Sequence, residues 1–215
     1  MQKHCRSLRG LAVTVAASIL GGCAAPGVEW SALPASAPCC DTVAHLPFAA
    51  LQPDVLTPVS VAVTPVFHFA EGPSTFAALT LPSPSGAGGL RLRIDSFVRP
   101  EAPARASAFA PVALWLDEER VPLAAPQPVF YRQAHDLWRG EHLRAVLVVP
   151  PAARHVVLFT PASSRGERFA LQGAPWITAV PLANGASMLM PTPGRTLDVS
   201  RAPVGHLRVL VENRS

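Results

Sequence analysis

The sequence predicts an all-β, sandwich-like antiparallel domain with few or no long helices. Three observations carry that expectation. The 215 residues include 24 prolines, all of them after Cys23, and proline breaks a helix interior by removing a donor and crowding the preceding turn. Between the prolines lie short runs in which apolar and polar residues alternate with period two. These runs recur about every 10–15 residues with Pro and Gly turns between them, the signature of a sandwich.

Taken in order, residues 1–22 read as a lipoprotein signal peptide. Lys3, Arg6 and Arg9 form a positive start, and Leu11 to Leu20 is uncharged and apolar. That run is too short for a membrane-spanning helix, which needs about 20 residues. Leu20-Gly21-Gly22-Cys23 looks like a bacterial lipobox, in which small residues admit the peptidase and the Cys23 thiol takes diacylglycerol. Ala24, where Asp would retain a lipoprotein at the inner membrane, points to the outer membrane. An ordinary cleaved signal with an incidental cysteine explains fewer of these features.

Residues 23–38 are expected to be the lipidated cysteine and a Pro/Ala-rich tether. At about 3.3 Å per residue its reach is at most about 50 Å. With the three leader bases removed, 15 bases face 14 acids. The overall basic balance therefore gives no support to nucleic-acid binding.

Residues 39–215 are expected to form the β domain. Cys39 and Cys40 are the cysteines left after Cys5 departs with the leader and Cys23 is lipidated. Neighbouring α carbons lie about 3.8 Å apart, below the common disulfide range of about 4.4–6.8 Å. A vicinal disulfide, an intermolecular one and two free thiols all stay open. The first is preferred, as a stiff ring where tether meets domain in an oxidising compartment.

Further along, Leu90, Leu92 and Ile94 alternate with Arg91, Arg93 and Asp95, which predicts a strand with one solvated face. Leu207, Val209 and Val211 repeat the pattern against His206 and Arg208. Val112 to Leu116 and Phe76 to Leu81 are apolar runs of strand length. Ala145 to Val149 and His155 to Phe159 are joined by a connection of hairpin length. Arg132 to Arg139 is the one segment that looks helical, for two turns at most. From about Gly166 to Ala202 the pattern fades into a long Pro/Gly/Ala-rich excursion before a last strand returns.

Catalytic signatures are sparse. The sequence contains neither G-x-S-x-G nor H-E-x-x-H. Asp117-Glu118-Glu119 is its densest acidic cluster. Paired carboxylates can hydrolyse glycosides, but a solvated turn after a strand explains these three more simply. Trp115 is expected in the core, and His68 on the solvated side of Phe67 and Phe69. Around Trp138, His135-Asp136 and Glu141-His142 bring together residue types that hold sugars. An indole stacks on a pyranose face while polar groups take the hydroxyls. Trp138, Tyr131, His135 and Arg132 are the ligand-binding candidates; an exposed loop with one plugging tryptophan is the structural alternative. No metal ligand set or cofactor motif is read.

Cys39-Cys40, Val66 to Pro82, Ser107 to Glu119, His155 to Ser163 and Pro203 to Asn213, in that order and spacing, resemble the MalM family of maltose operon periplasmic proteins. The segment Phe109 to Glu118 carries most of the likeness. The resemblance implies an accessory role in maltose or maltodextrin uptake, with no catalytic residues to transfer. Two departures are visible: a lipobox replaces an ordinary cleavable signal, and the chain stops near its last strand, without the Ala/Pro linker and helical C-terminal portion of the best-known member.

The expectation is thus a non-catalytic lipoprotein of the periplasm, held at the outer membrane by lipid on Cys23. Its partners would be maltodextrin and an outer-membrane porin or transport component. The rival expectation is an envelope scaffold that binds a membrane protein or peptidoglycan and no free sugar.

Overall fold

The computed structural model describes residue 33 and residues 37–85, 88–102, 105–136, 140–172, 176–181, 186–192, 194 and 196–214. The leader, Cys23, nearly all of the tether and Trp138 lie outside the described residues. The chain is all-β, as its sequence predicts. A first sheet runs in the order β1 (Ala49–Ala50), β4 (Gly72–Thr80), β12 (His155–Phe159), β8 (Val112–Leu116), β9 (Pro122–Leu123), and β3 (Val66–Phe69) also pairs with β4. A second sheet runs β10 (Tyr131–Asp136), β11 (Gly140–Val148), β5 (Leu90–Phe97), β17 (Gly205–Asn213), β2 (Thr57–Val61). The third contains β13 (Arg168–Gln172), β16 (Thr196–Arg201), β7 (Arg105–Ala108) and β6 (Arg99–Ala102), and β14 (Trp176–Pro181) pairs with β15 (Ser187–Thr192). The strands pair antiparallel except β1 with β4 and β16 with β7.

The first two sheets share the main core. Leu92, Ile94, Leu207, Val209 and Val211 of the second sheet meet Leu79, Trp115, Val156 and Leu158 of the first. The first sheet is buried on its other face as well. There Phe67, Phe69, Phe76, Leu116, Val157 and Phe159 form a second cluster, covered by Leu46 and by the partly buried Cys40, Val43 and Phe48. Phe69 and Phe159 stack at 3.8 Å between ring centroids. This double burial explains why β12 reads His-Val-Val-Leu-Phe without alternation: Val156 and Leu158 face the main core, Val157 and Phe159 the aromatic cluster. Arg120 clamps the cover, its guanidinium 4.8 Å over the Phe48 ring and donating to the Ala44 carbonyl.

The third sheet closes one end. Ala106, Ala108, Ala110 and Val199 pack on Leu143 of β11. Small residues suit this close approach; at Gly205 even a β carbon would come within 2.7 Å of that of Phe109. Buried hydroxyls stitch the junction: Ser74 donates to the Thr160 carbonyl at 2.8 Å, Thr160 to Ala202 at 3.2 Å and Ser96 to Phe109 at 2.6 Å. Each supplies the partner that a buried polar group requires.

Four expectations are corrected. Tyr131–Asp136 is a strand paired with β11, so the segment expected to be helical from Arg132 is extended where it is described; cross-strand pairing overrides its local preference. Ala145 to Val149 and His155 to Phe159 do not form a hairpin. The first run lies in the second sheet and the other in the first, so Pro150-Pro151 carries the chain across the sandwich. The Gly166 to Ala202 excursion contains four strands, β13 to β16. Asp95, placed on a solvated face, is only 4% exposed because arginines close over it.

Other readings match the structure. Trp115 is 1% exposed, and His68 lies exposed between buried Phe67 and Phe69. Asp117 through Arg120 is a turn, its Asp117 carboxylate accepting from the Val121 amide at 2.7 Å.

Candidate functional site on the second sheet

Strand alternation sends Leu92 and Ile94 of β5 inward and Arg91, Arg93, Asp95 and Phe97 outward. Register then places outward residues side by side. Asp95 is paired with Arg144 of β11 on one flank and Arg208 of β17 on the other, and Tyr131 of β10 lies beyond Arg144. One row toward the Leu90 end, Arg93 lies between Val146 and Leu210; at the next, Arg91 lies between Val148 and Glu212. Phe97 is paired with His142. Val146 and Val148 are 44% and 55% exposed, so no layer covers this side of the sheet there.

The centre is fixed by charge. Arg144 grips the Asp95 carboxylate with two hydrogen bonds, Nε to Oδ1 at 2.6 Å and Nη2 to Oδ2 at 3.0 Å. Arg93 Nε stands 3.5 Å from Oδ2. His142 Nε2 lies 3.2 Å from Arg144 Nη2 and 4.0 Å from Asp95 Oδ1. The hydrogen bond to Asp95 raises the Arg144 pKa above its ordinary value, outweighing the desolvation that opposes it. The Arg208 guanidinium covers the Phe97 ring at 4.9 Å from its centroid. The result is a cluster of arginines around a buried acid, with the Phe97 ring under Arg208 and Tyr131 beside Arg144. Such a surface can accept hydroxyls, carboxylates or phosphates without large side-chain rearrangement.

Recesses lie at both ends of this face. One, of about 370 Å³, is lined by Asp54, Arg91, Glu212, Asn213 and Arg214. The other, of about 350 Å³, includes Phe97, Arg99, Phe109 and His206 in its wall. Both fall at the low end of the roughly 300–1,000 Å³ usual for small-ligand pockets.

The candidates from sequence are only partly united. Tyr131 is 46% exposed on the outer face beside Arg144. Arg132, the next residue, is paired with Leu143, whose side chain is fully buried, and so belongs to the opposite face from Tyr131. His135 lies on β10, and Trp138 lies outside the described residues. The sequence does not announce the Asp95–Arg144–His142 cluster or Arg208 beside it, because Asp95 lies 49 residues from Arg144 and only register joins the strands. The one signal was an acid in the polar phase of a strand otherwise carrying arginines.

Cys39 and Cys40 are joined as a vicinal disulfide where the chain enters the domain. The Cys39 amide donates to Val66 of β3 at 2.9 Å, and Cys40 packs on the aromatic cluster. Among the described residues no group of three or more His, Cys, Asp or Glu is arranged to hold a metal ion. No helix described is long and apolar enough to cross a membrane.

Fold and face together define a β-sandwich with one covered sheet and one open, arginine-rich sheet. No family model matches the chain, and no curated protein or solved structure matches it either.

Proposed function

We propose that this chain is a non-catalytic, lipid-anchored accessory protein of the periplasm and outer membrane that assists maltose or maltodextrin uptake. In this reading the open face of the second sheet holds the saccharide weakly or presents it to an outer-membrane porin or transport component. The observation that carries it is the juxtaposition of exposed Tyr131 with the Arg144–Asp95 pair. An aromatic ring offers an apolar surface to a sugar face, and the neighbouring guanidinium offers fixed donors to its hydroxyls. The lipobox at Cys23 and the MalM-like segments supply the compartment and the ligand class. The acidic turn at Asp117 is engaged in its own backbone hydrogen bond, which supports a structural role for it.

The test is a titration of the soluble part, Ala24 to Ser215, with a maltodextrin series, read by tryptophan fluorescence and calorimetry. Saturable binding that tightens with chain length is expected, and Tyr131→Ala and Trp138→Ala should each weaken it tenfold or more. Arg132→Ala, on the other face from Tyr131, should leave it unchanged. No response up to millimolar sugar would sink the saccharide reading.

The envelope-scaffold reading is favoured by a different observation. Arg91, Arg93, Arg144 and Arg208 outnumber Asp95 and Glu212 on this face, which suits an acidic macromolecule. Cross-linking in intact cells separates the two, since a scaffold yields one dominant partner with or without maltose.

A further inference from the structure

The strands β14 and β15 pair with each other and, among the described residues, with no other strand. Their pairing offset is the same as that of the β13–β16 ladder. Arg168 is paired with Ser200 and Gln172 with Thr196 in that ladder; Trp176 is paired with Thr192 and Pro181 with Ser187 in the next. Every step along one strand is matched by one step back along the other, so no residue is gained or lost between the ladders. The base is tied into the third sheet through β16 and β7, and the second ladder extends for about 20 Å at roughly 3.4 Å per residue.

This outer length lies within the longest run of the sequence that carries no ionisable side chain, residues 169–194. Residues 173–194 contain no Asp, Glu, Lys, Arg or His. Met188, Leu189 and Met190 are 46%, 68% and 45% exposed. Alternation places Met188 and Met190 on one face and Leu189 on the other, so apolar side chains are exposed on both sides of the ribbon. An isolated two-stranded ribbon is marginally stable in water, and adjacent exposed apolar residues mark a contact surface.

We propose that this arm is a membrane-contact element, lodging Met188, Leu189 and Met190 at the boundary between lipid headgroups and acyl chains. Exposure on both faces selects this occupant: docking on a flat protein surface would cover one face, whereas a lipid interface surrounds the ribbon. Among the described residues no further strand pairs with the ribbon's outer edges, which favours the hydrated boundary over the hydrocarbon centre. Thioether side chains adapt well to such irregular surroundings. The proposal rests on the anchored reading, in which the tether on Cys23 holds the domain within about 50 Å of a bilayer. Diacylglycerol on Cys23 would suffice for stable association, and the arm would add a second point of attachment that fixes the orientation of the domain.

The test uses the full lipidated protein bearing Leu189→Cys labelled with an environment-sensitive dye, in vesicles of phosphatidylethanolamine and phosphatidylglycerol containing shallowly brominated lipid. A Val121→Cys label is the control. The 189 label should be blue-shifted and quenched at least twofold more than the 121 label, and Met188→Asp with Met190→Asp should abolish the difference. A chain that floats with the vesicles while its 189 label stays water-exposed overturns the arm and leaves the anchor standing. If the chain does not float, the anchored reading fails. The unlipidated labelled protein is then mixed with excess vesicles, where a saturable blue shift sustains the arm and its absence overturns it. A concentration-dependent shift without lipid, insensitive to bromine, assigns the arm to a second copy and overturns the membrane proposal.

Discussion

The two principal sheets contribute to one core, yet they differ on their outer sides. The first is covered by the aromatic cluster and the segment around Cys40 to Phe48, so β4, β8 and β12 carry apolar residues in both phases. The second keeps Val146 and Val148 exposed on its outer side, and there β5 and β17 alternate and direct Arg91, Arg93, Asp95 and Arg208 outward. A strand buried on both faces is constrained at every residue by packing. A strand open on one face leaves half of its positions free for recognition. In the proposed reading this difference places recognition on the second sheet, while the first contributes the other wall of the shared core.

Substitutions sharpen the contrast, beginning with the largest effect. Trp115→Ala empties a site that is 1% exposed and gives up a hydrogen bond from Nε1 to Pro126. It should cost about 3–5 kcal/mol in chemical denaturation. A loss below about 1 kcal/mol would mean that the inner core is far looser than these contacts indicate.

Next comes the one charged centre of the open sheet. Asp95→Ala should cost about 1–3 kcal/mol, since it strands Arg144 beside Arg93 without their common acceptor. Adding Arg144→Met should recover part of that loss, and strict additivity in the double-mutant cycle would deny the coupling.

A smaller effect belongs to the border of the first sheet's cover. Burial, with help from Arg120, lowers the His155 pKa below 6.5. The unfolded chain therefore binds the proton more readily than the folded one. Stability attributable to this group is fully present above about pH 6.5 and is lost as pH falls through the depressed folded value. His155→Gln should flatten that slope, and an unchanged slope would assign it to other groups. Smallest of all, Val148→Thr on the open face should shift stability by no more than about 0.5 kcal/mol. A large loss there would indicate that this face is covered after all.

The same contrast explains what the sequence reveals. Leu90-Leu92-Ile94 and Leu207-Val209-Val211 announce their strands because one side meets water, and their inward phase is read correctly. His155 to Phe159 announces a strand but hides its sheet, because an unbroken apolar run has no outward phase. Tyr131–Asp136 hides even its type: a polar segment gains its conformation from β11. The β13–β16 arm is obscured by prolines and glycines, since partner register rather than composition defines it. Asp95 shows the limit at the site. Its phase is legible, but its burial depends on Arg144, a partner 49 residues away. Tyr131 was legible as a residue type suited to sugar, whereas the separation of Arg132 from it became visible only with the strand.

Recognition by the open sheet is tested most directly by amide hydrogen exchange of the chain without its leader, with and without a long maltodextrin. Added protection is expected in β5, β10, β11 and β17 alone, and it should disappear in Tyr131→Ala. Protection centred on β4, β8 and β12 would contradict it.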